Sequence, residues 1–292
     1  MNIKDPLPPM WFRYPDVGPF SIGWRMGFGE DYKMEFEQWY SQLSESQKIE
    51  YQRLFPAPKT WPMAYSTEDS DDCLNDDDTS IGTDFHSVLF WEKHGAYRYS
   101  KEWLRSLITD GASPEYVMFW KPGDADSVAC FGQWQPSEFL VERIKYNCAE
   151  QYMMAEKARL FGDEEMEKAI METTDPSTMK RLGKLVHGFD DGIWNKAKYS
   201  IVLNGNYAKF TQNRAMCEFL LGTGEAILVE ASPLDVIWGI GLGAGNEKSQ
   251  RPEFWRGRNL LGFALMEVRD EIARVWCNRD LIDWGNYPDW PR

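Results

Sequence analysis

Two residues of one predicted helix have side chains suited to proton transfer. Residues 147–161 have helical apolar spacing, and Glu150 and Lys157 lie seven residues apart within them. Seven residues make two helical turns, so the carboxylate and the ammonium share one face and form a candidate acid–base pair. A purely structural interpretation competes, because Asn147 and Glu150 have the spacing of a capping box, in which Glu150 only satisfies a free backbone N–H. The spacing leaves both interpretations open.

A second group of candidates follows a predicted buried strand at 226–230. Asp235 and Trp238 come after this strand and lead into a turn that contains Gly239 and Gly241. Glycine lets backbone N–H groups come close to an anion, so this loop is a candidate binding site. A dinucleotide fingerprint is rejected, because no helix follows the glycines at once and no strand–helix–strand unit surrounds them. A tight turn without a ligand is the alternative.

Further polar and aromatic candidates lie on two other predicted helices. Trp194 begins one helix, where a tryptophan either fills the core or stacks on a flat ligand. Lys184 lies on the helix before it, and Lys209 stands with Gln212 and Asn213 near the end of the Trp194 helix. Solvated helix faces explain these polar residues equally well.

The net charge restricts the ligand class. The chain has 46 acidic and 32 basic residues, which gives a formal charge of −14. Binding to polyanions requires an excess of Lys and Arg, so general affinity for nucleic acid or for anionic membranes is disfavoured. A nucleic-acid substrate would need a local basic patch.

The histidines and cysteines argue against several kinds of site. The three histidines, His86, His94 and His187, have neither HExxH nor paired spacing, which predicts no metal site and no standard nucleophilic triad. The five cysteines form no CxxC pair, and the sequence shows no signal segment and no stretch of about 18 apolar residues. We therefore expect a cytoplasmic protein without a cofactor, in which carboxylates and lysines carry any chemistry.

The hydrophobic patterns predict a mostly helical scaffold for these residues. Strands are predicted at 116–120, 127–131 and 226–230, and helices at 147–161, 192–210, 213–221 and 259–276. The last of these helices is predicted to be amphipathic. Asp175 followed by Pro176 starts another helix, and residues 30–54 read as one or two helices with Ser44 or Ser46 as a cap. Few strands among many helices indicate an α+β fold.

Several of these segments together resemble the NADAR (YbiA-like) N-glycosidase family. The matching segments are FGQWQPSEF (131–139), YNCAEQYMMAEKARLFG (146–162), DP (175–176), LGK (182–184), Trp194, KF and QN (209–213), LVEASPLDVIWG (228–239) and NLLG with LM (259–266). Each motif alone is weak, but this many in one order are specific, and they cover about half of the chain.

The resemblance implies a mostly helical α+β domain that binds ADP-ribose-like or ribose-phosphate ligands and cleaves N-glycosidic bonds. Substrates in the family are ribosylamino-pyrimidine phosphates and ADP-ribose attached to guanine. The implied partner is therefore a small-molecule nucleotide or ADP-ribose-type substrate, and ADP-ribosylated nucleic acid is disfavoured by the acidic charge. A binding module that senses ADP-ribose without turnover is the alternative function.

The resemblance also implies roles for particular residues. Glu150, Trp194 and Asp235 match functional positions of the family, and Lys157 matches its motif lysine. We expect Glu150 near the ribose C1′, Asp235 as a second carboxylate or ribose ligand, and Trp194 or Trp238 against the base. Lys157 could bind phosphate, protonate the leaving base or attack C1′.

The remaining candidate substrate contacts are Gly239, Gly241, Lys184 and Asn147. Two positions depart from the family pattern. Many members have His where this chain has Gln151, so proton transfer by that histidine is absent here. Lys184 stands where Arg is common in the family.

Three parts of the chain are predicted. Residues 1–112 form an N-terminal accessory region of unknown role, with an acidic linker at about 66–80. Residues 113–277 form the NADAR-like catalytic domain, and residues 278–292 form a C-terminal tail.

The scarcity of metal-ligand patterns predicts activity that does not depend on a metal ion. Turnover of an N-glycoside should be unchanged in EDTA, because carboxylates and lysines need no metal to move a proton. The measurement is base release with and without chelator. A loss that Mg²⁺ or Zn²⁺ restores would contradict the prediction.

Overall fold

The computed structural model describes residues 5–61, 64–65, 97–123 and 127–287. The predicted acidic linker lies outside the described residues. The helices are α1 Met10–Arg13, α2 Gly23–Met26, α3 Glu30–Ser41, α4 Glu45–Leu54, α5 Lys101–Thr109, α6 Ala149–Leu160, α7 Glu164–Glu172, α8 Pro176–Gly183, α9 Asp191–Gln212, α10 Arg214–Gly222 and α11 Leu260–Val275. The strands are β1 Tyr116–Phe119, β2 Phe139–Val141, β3 Ile144–Tyr146 and β4 Ile227–Glu230. This architecture confirms the predicted α+β class.

Local sequence signals set several helix boundaries as predicted. Ser44 and Gln47 form a complete capping box at the start of α4. Asp175 accepts a backbone bond from Thr178 at the start of α8, with proline at the first helical position. Gly224, with φ of 54°, follows α10 in the left-handed region, where glycine carries no steric penalty.

Two predictions about secondary structure are wrong. The segment Val128–Phe131 forms a 3-10 helix, not a strand, and its apolar residues turn into the core. Helix α11 is not amphipathic, because it is buried along most of its length. Apolar runs of this length do not distinguish a strand from a buried helix by periodicity alone. The hairpin of β2 and β3 and helix α7 had no counterpart in the predicted elements.

Helix α6 lies at the centre of the domain, in contact with α7, α8 and α9. Its residues from Ala149 to Ala158 are all buried, including two glutamates and a lysine. Beside it, β1 and β4 pair in parallel, and Phe119 is the register partner of Glu230 at their carboxyl ends. The carboxyl ends of parallel strands lie at the same edge of a sheet. Glu230, the last residue of β4, therefore lies at the edge where the connecting loops begin.

The N-terminal residues share the hydrophobic core of the domain. The rings of Phe12 and Trp276 lie 4.4 Å apart between centroids. Backbone groups of the N-terminal region also bond to the domain: the Lys59 N–H donates to Glu271 Oε1 at 2.6 Å, and Arg274 donates to the Ala57 carbonyl at 2.8 Å. The predicted boundary at residue 113 stays a prediction, although buried contacts cross it. No helix of the described residues is long and apolar enough to cross a membrane.

This shared core predicts that Phe12→Ala destabilises the whole molecule. Phe12 is fully buried, so its loss should lower the free energy of unfolding by about 3–5 kcal/mol in a single transition. Denaturant unfolding of this variant and of Phe20→Ala, at an exposed site, provides the comparison. The control should change by less than about 0.5 kcal/mol. A separate early transition for the N-terminal residues would contradict a common core.

Candidate active site

Glu150 lies in the first turn of α6 and is only 5% exposed. Its backbone N–H donates to the Gln133 carbonyl at 2.9 Å. The capping-box interpretation is wrong, because Cys148 is the N-cap residue and Gln151, not Glu150, accepts the Asn147 N–H at 2.8 Å. The Glu150 carboxylate is therefore not used to begin the helix.

Gln151 has a structural role at the position where many family members have His. Its amide NH₂ donates to the carbonyls of Ile170 and Thr173, each at 3.1 Å, at the end of α7. Together with its bond to the Asn147 N–H, this side chain joins the start of α6 to the end of α7. Asn147 is therefore placed beside the site by its backbone, and its carbonyl accepts the Ser137 N–H at 2.9 Å.

The surroundings of Glu150 raise the pKa of its carboxyl group into the neutral range. The pKa of Glu150 is raised from 4.5 to about 7, mainly by burial and to a smaller extent by the neighbouring Asp235 carboxylate. The Lys180 ammonium and a hydrogen bond from the Trp134 side chain act in the opposite direction. A carboxyl group with this pKa can accept or donate a proton at neutral pH.

A third carboxylate, Glu230, completes the site from the end of β4. Burial raises its pKa to about 8, with smaller contributions from Asp235 and Glu150, and Lys180 lowers it. Its Oε2 atom is buried without a hydrogen-bond partner. We call Glu150, Glu230 and Asp235 the carboxylate cluster. The Lys180 ammonium interacts electrostatically with all three. Buried polar atoms without partners are rare in folded proteins, which suggests that the partner is a ligand.

The glycine-rich loop fixes the orientation of Asp235. One carboxylate oxygen, Oδ1, accepts the N–H groups of Ile237 and Trp238 at 2.9 and 2.8 Å. The other oxygen, Oδ2, lies 3.9 Å from Lys180 Nζ. Gly241, with φ of 67°, donates its N–H to the Asp235 carbonyl at 3.0 Å. This hydrogen bond joins the two ends of the loop. Gly241 therefore helps to position Asp235.

Close packing also explains Gly239. A Cβ atom there would lie 2.8 Å from the carbonyl oxygen of Glu230, which is closer than side chains tolerate. The loop can thus return onto the end of β4 and bring Asp235 beside Glu230. Trp238 is partly buried against the core, and its carbonyl accepts the Leu261 N–H at the start of α11.

The structure separates Lys157 from Glu150. Lys157 Nζ donates to the Gly183 carbonyl at 2.7 Å and lies 4.1 Å and 5.4 Å from the ring centroids of Phe189 and Trp194. The two residues share a helix face, as predicted, but lie about 10 Å apart along the axis. The cation that interacts with Glu150 is Lys180 on α8. Burial lowers the pKa of Lys157.

The lysine that interacts with the carboxyl groups is Lys180, whereas the predicted candidate in this region, Lys184, stays a prediction. Lys184 is exposed at the end of the helix, one turn after Lys180. Lys180, Trp134 and Glu230 were not among the predicted site residues, although the last two lie within the family motifs. The one local signal for Glu230 was a carboxylate directly after an apolar strand.

Lys209 is buried and does not lie on a solvated face. Its ammonium donates to the Gly132 carbonyl at 3.0 Å, and burial lowers its pKa to about 8. From the same helix, Asn206 donates to Gln133 Oε1 at 3.2 Å. These bonds hold the segment that carries Trp134.

The raised pKa values predict a dependence of stability on pH. The folded-state pKa values of Glu150 and Glu230 lie above the unfolded value of 4.5, so their protons stabilise the fold at low pH. This contribution should be lost as pH rises through about 7 and 8. In the double variant Glu150→Gln/Glu230→Gln the loss between pH 4.5 and pH 8 should be smaller by several kcal/mol, since each pH unit between the unfolded and the raised folded pKa contributes about 1.4 kcal/mol. Unfolding free energies across pH, with exposed Glu165→Gln as control, test this. If the free energy of unfolding depends on pH in the same way in the wild type, the double variant and the control, the prediction is refuted.

Comparison with known proteins places this site in a family. The NADAR domain model matches residues 118–273, more than half of the chain. N-glycosidase R617 of Acanthamoeba polyphaga mimivirus is 46% identical over 149 residues, which cover 49% of this chain and 88% of that protein. N-glycosidase YbiA of Escherichia coli is 28% identical over 149 residues, covering 51% and 84%. Protein irg-1 of Caenorhabditis elegans is 37% identical over 131 residues, covering 44% and 62%. The NMR structure of E. coli YbiA aligns with a TM-score of 0.45 and 25% identity over 56% of this chain and 87% of that one. The chain therefore belongs to the NADAR domain family.

Proposed function

We propose that this protein is an N-glycosidase that hydrolyses the ribose–base bond of an ADP-ribose or ribose-phosphate N-glycoside. The observation that carries the proposal is the carboxylate cluster, in which the Lys180 ammonium lies 3.9 Å from Asp235 and interacts electrostatically with Glu150 and Glu230. Relatives named N-glycosidase share the matched region. Two members of this cluster, Glu150 and Asp235, were also expected from the sequence.

The reaction explains why a site of this charge is useful. Cleavage of the ribose C1′–N bond develops positive charge on the sugar and negative charge on the departing base. When ionised, the cluster has one more negative charge than Lys180 neutralises, even if one glutamate keeps its proton. Fixed negative charge near C1′ stabilises an oxocarbenium ion more than it stabilises the neutral substrate.

The two glutamates have environments that suit opposite roles. Glu230, with a pKa of about 8, carries its proton at neutral pH, and its Oε2 atom has no partner in the protein. It would donate this proton to the nitrogen of the leaving base. Glu150, with the lower pKa, would accept a proton from the water whose oxygen bonds to C1′. The proton taken from water then restores Glu230, so one water is consumed for each bond cleaved.

Asp235 would act as a fixed charge. Two backbone N–H groups hold one of its oxygens, which leaves the second oxygen beside Lys180 for the ribose. The Trp134 ring is 36% exposed and its side chain lies near enough to Glu150 to lower the pKa of that carboxyl, so the ring face is available to the base. Lys157 and Trp194 form a neighbouring part of the site, where the lysine would contact the rest of the substrate.

The experiment is base release from two substrates, ADP-ribosylated guanine nucleotide and a ribosylamino-pyrimidine 5′-phosphate. Glu150→Gln keeps the shape of the side chain but removes its charge and its transferable proton. Its turnover should fall about 10²–10⁴-fold with no loss of melting temperature. Exposed Glu165→Gln should match the wild type in both measurements.

Two results would contradict the proposal. Near wild-type turnover in Glu150→Gln would remove Glu150 from the mechanism. Tight ADP-ribose binding without base release from either substrate would favour the non-catalytic binding module.

A further inference from the structure

A cavity of about 530 Å³ lies on the opposite side of α6 from the carboxylate cluster. The N-terminal segment 15–22 and Trp61 line it on one side, and Tyr152 and Arg159 of α6 line it on the other. Tyr152 comes two residues after Glu150, so the two side chains leave the helix in opposite directions. Pockets that hold small molecules commonly have a volume of this size. The proposed reaction makes no use of this cavity.

The wall formed by α6 contributes a buried hydroxyl group, that of Tyr152. The ring is fully buried and packs against the rings of Phe139 and Tyr146. Within the described chain, the Oη atom of Tyr152 has no hydrogen-bond partner. Burial holds the pKa of Tyr152 well above its ordinary value, so the hydroxyl keeps its proton and can donate it to a hydrogen bond. A buried donor without an acceptor is unfavourable, and a ligand that supplies the acceptor removes this cost.

The N-terminal wall contributes a buried acceptor, the carboxyl group of Asp16. Its Oδ2 atom has no hydrogen-bond partner among the described residues, and Arg143 Nε, at 3.8 Å, is too distant to donate to it. The Asp16 carbonyl accepts the Glu142 N–H at 2.6 Å, and Glu142 Oε1 accepts the Gly18 N–H at 2.8 Å. These two bonds hold the segment of Asp16 against the turn between β2 and β3.

The charges around the cavity disfavour an anionic ligand. Asp16 and Glu142 are acidic, and Arg159 is already paired with Glu156 and with Glu167, the latter at 2.7 Å. A phosphate in this cavity would therefore meet two carboxyl groups and a neutralised arginine. The rest of the lining is largely apolar, which favours an uncharged ligand with a ring. The apolar part of the lining includes Pro15, Val17, Pro19, Phe20, Trp61 and Val141.

We propose that this cavity is a second ligand site, which binds an uncharged heteroaromatic lactam. An amide is the simplest uncharged group that offers both an acceptor and a donor. Its carbonyl would accept the Tyr152 hydroxyl, its N–H would donate to Asp16 Oδ2, and its ring would lie against the apolar lining that includes Trp61. The site does not depend on the proposed function, because the described residues that line it include no member of the carboxylate cluster.

Calorimetry with carbostyril, an uncharged bicyclic lactam, tests the ligand class. The wild type should bind carbostyril, and it should bind N-methylcarbostyril, which lacks the N–H, about 3- to 10-fold more weakly. Quinaldate, a related bicycle that carries a carboxylate, should not bind. A wild type that does not bind carbostyril would overturn the proposal, because the cavity then holds only water. Equal binding of quinaldate would also overturn it.

Two variants test the two polar contacts separately. Tyr152→Phe keeps the ring and removes the hydroxyl, so it should weaken carbostyril binding about 3- to 10-fold. Asp16→Ala removes the acceptor for the N–H, so this variant should bind carbostyril and N-methylcarbostyril with equal affinity. Wild-type affinity for both lactams in both variants would overturn the proposal.

Tyr199→Phe is the matched control. Tyr199 is also fully buried, but its hydroxyl donates to Glu267 Oε1 at 2.8 Å, and it is not among the described residues that line the cavity. Tyr199→Phe should lower the melting temperature and leave carbostyril affinity unchanged. Tyr152→Phe should not lower the melting temperature, because its hydroxyl loses no partner. An equal decrease in both variants would show that the Tyr152 hydroxyl is already satisfied, which contradicts the proposal.

Glu150→Gln distinguishes this cavity from the candidate active site. Its affinity for carbostyril should equal that of the wild type, whether or not the protein proves to be a glycosidase. If Glu150→Gln weakens carbostyril binding and Tyr152→Phe does not, the lactam binds at the carboxylate cluster, and the second site is refuted.

Discussion

The confinement of three carboxyl groups in one buried site is the constraint on which the rest of this structure depends. Burial is the larger penalty on ionisation of the two glutamates, Glu150 and Glu230, and the Asp235 carboxylate adds to this penalty for both. Such an arrangement persists only where the surrounding fold determines each position independently. Helix α6 fixes Glu150, strand β4 fixes Glu230, and a closed loop fixes Asp235. Lys180, from a fourth element, offsets part of the repulsion.

The wall of the site is held by polar side chains of α9. The segment from 132 to 138 has no strand or helix to satisfy its backbone, and buried backbone groups need partners. Lys209 bonds to the Gly132 carbonyl, and Asn213 bonds to the Glu138 carbonyl at 3.0 Å. Gln212 bonds to both the N–H and the carbonyl of Leu140, each at 2.8 Å, as a neighbouring strand would. Side chains at the end of α9 therefore satisfy backbone groups that a neighbouring strand would otherwise satisfy. These bonds keep Trp134 next to Glu150.

The two faces of α6 differ in how their charged side chains are paired. Glu150 and Lys157 face the site, whereas Tyr152 and Arg159 face a cavity of about 530 Å³ between the domain and the N-terminal residues. On that second face Arg159 is neutralised by Glu156 and by Glu167, the latter at 2.7 Å. Charges on the structural face are thus paired, while the site face holds more carboxylates than cations. This difference favours the Glu150 face of the helix as the place of the proposed chemistry.

The sequence alone determined what depends on short-range chemistry. Caps at Ser44 and Asp175 set helix boundaries, and the ratio of helices to strands indicated the α+β class. The ordered motifs identified the family, and the resemblance predicted that Glu150 and Asp235 belong to one site. Each of these signals is encoded within a few neighbouring residues or in their order along the chain.

Only the tertiary structure decided which groups meet. Glu230 is 80 residues from Glu150, and Lys180 is on a different helix from either, so no local pattern reports their proximity. Helical spacing put Lys157 on the face of Glu150 but could not show that packing of α8 brings Lys180 closer. The strand predicted at 127–131 failed for a related reason, since an apolar run specifies burial and not backbone geometry. Electrostatic interactions act through space, and the path of the chain through space is set by the packing of distant elements.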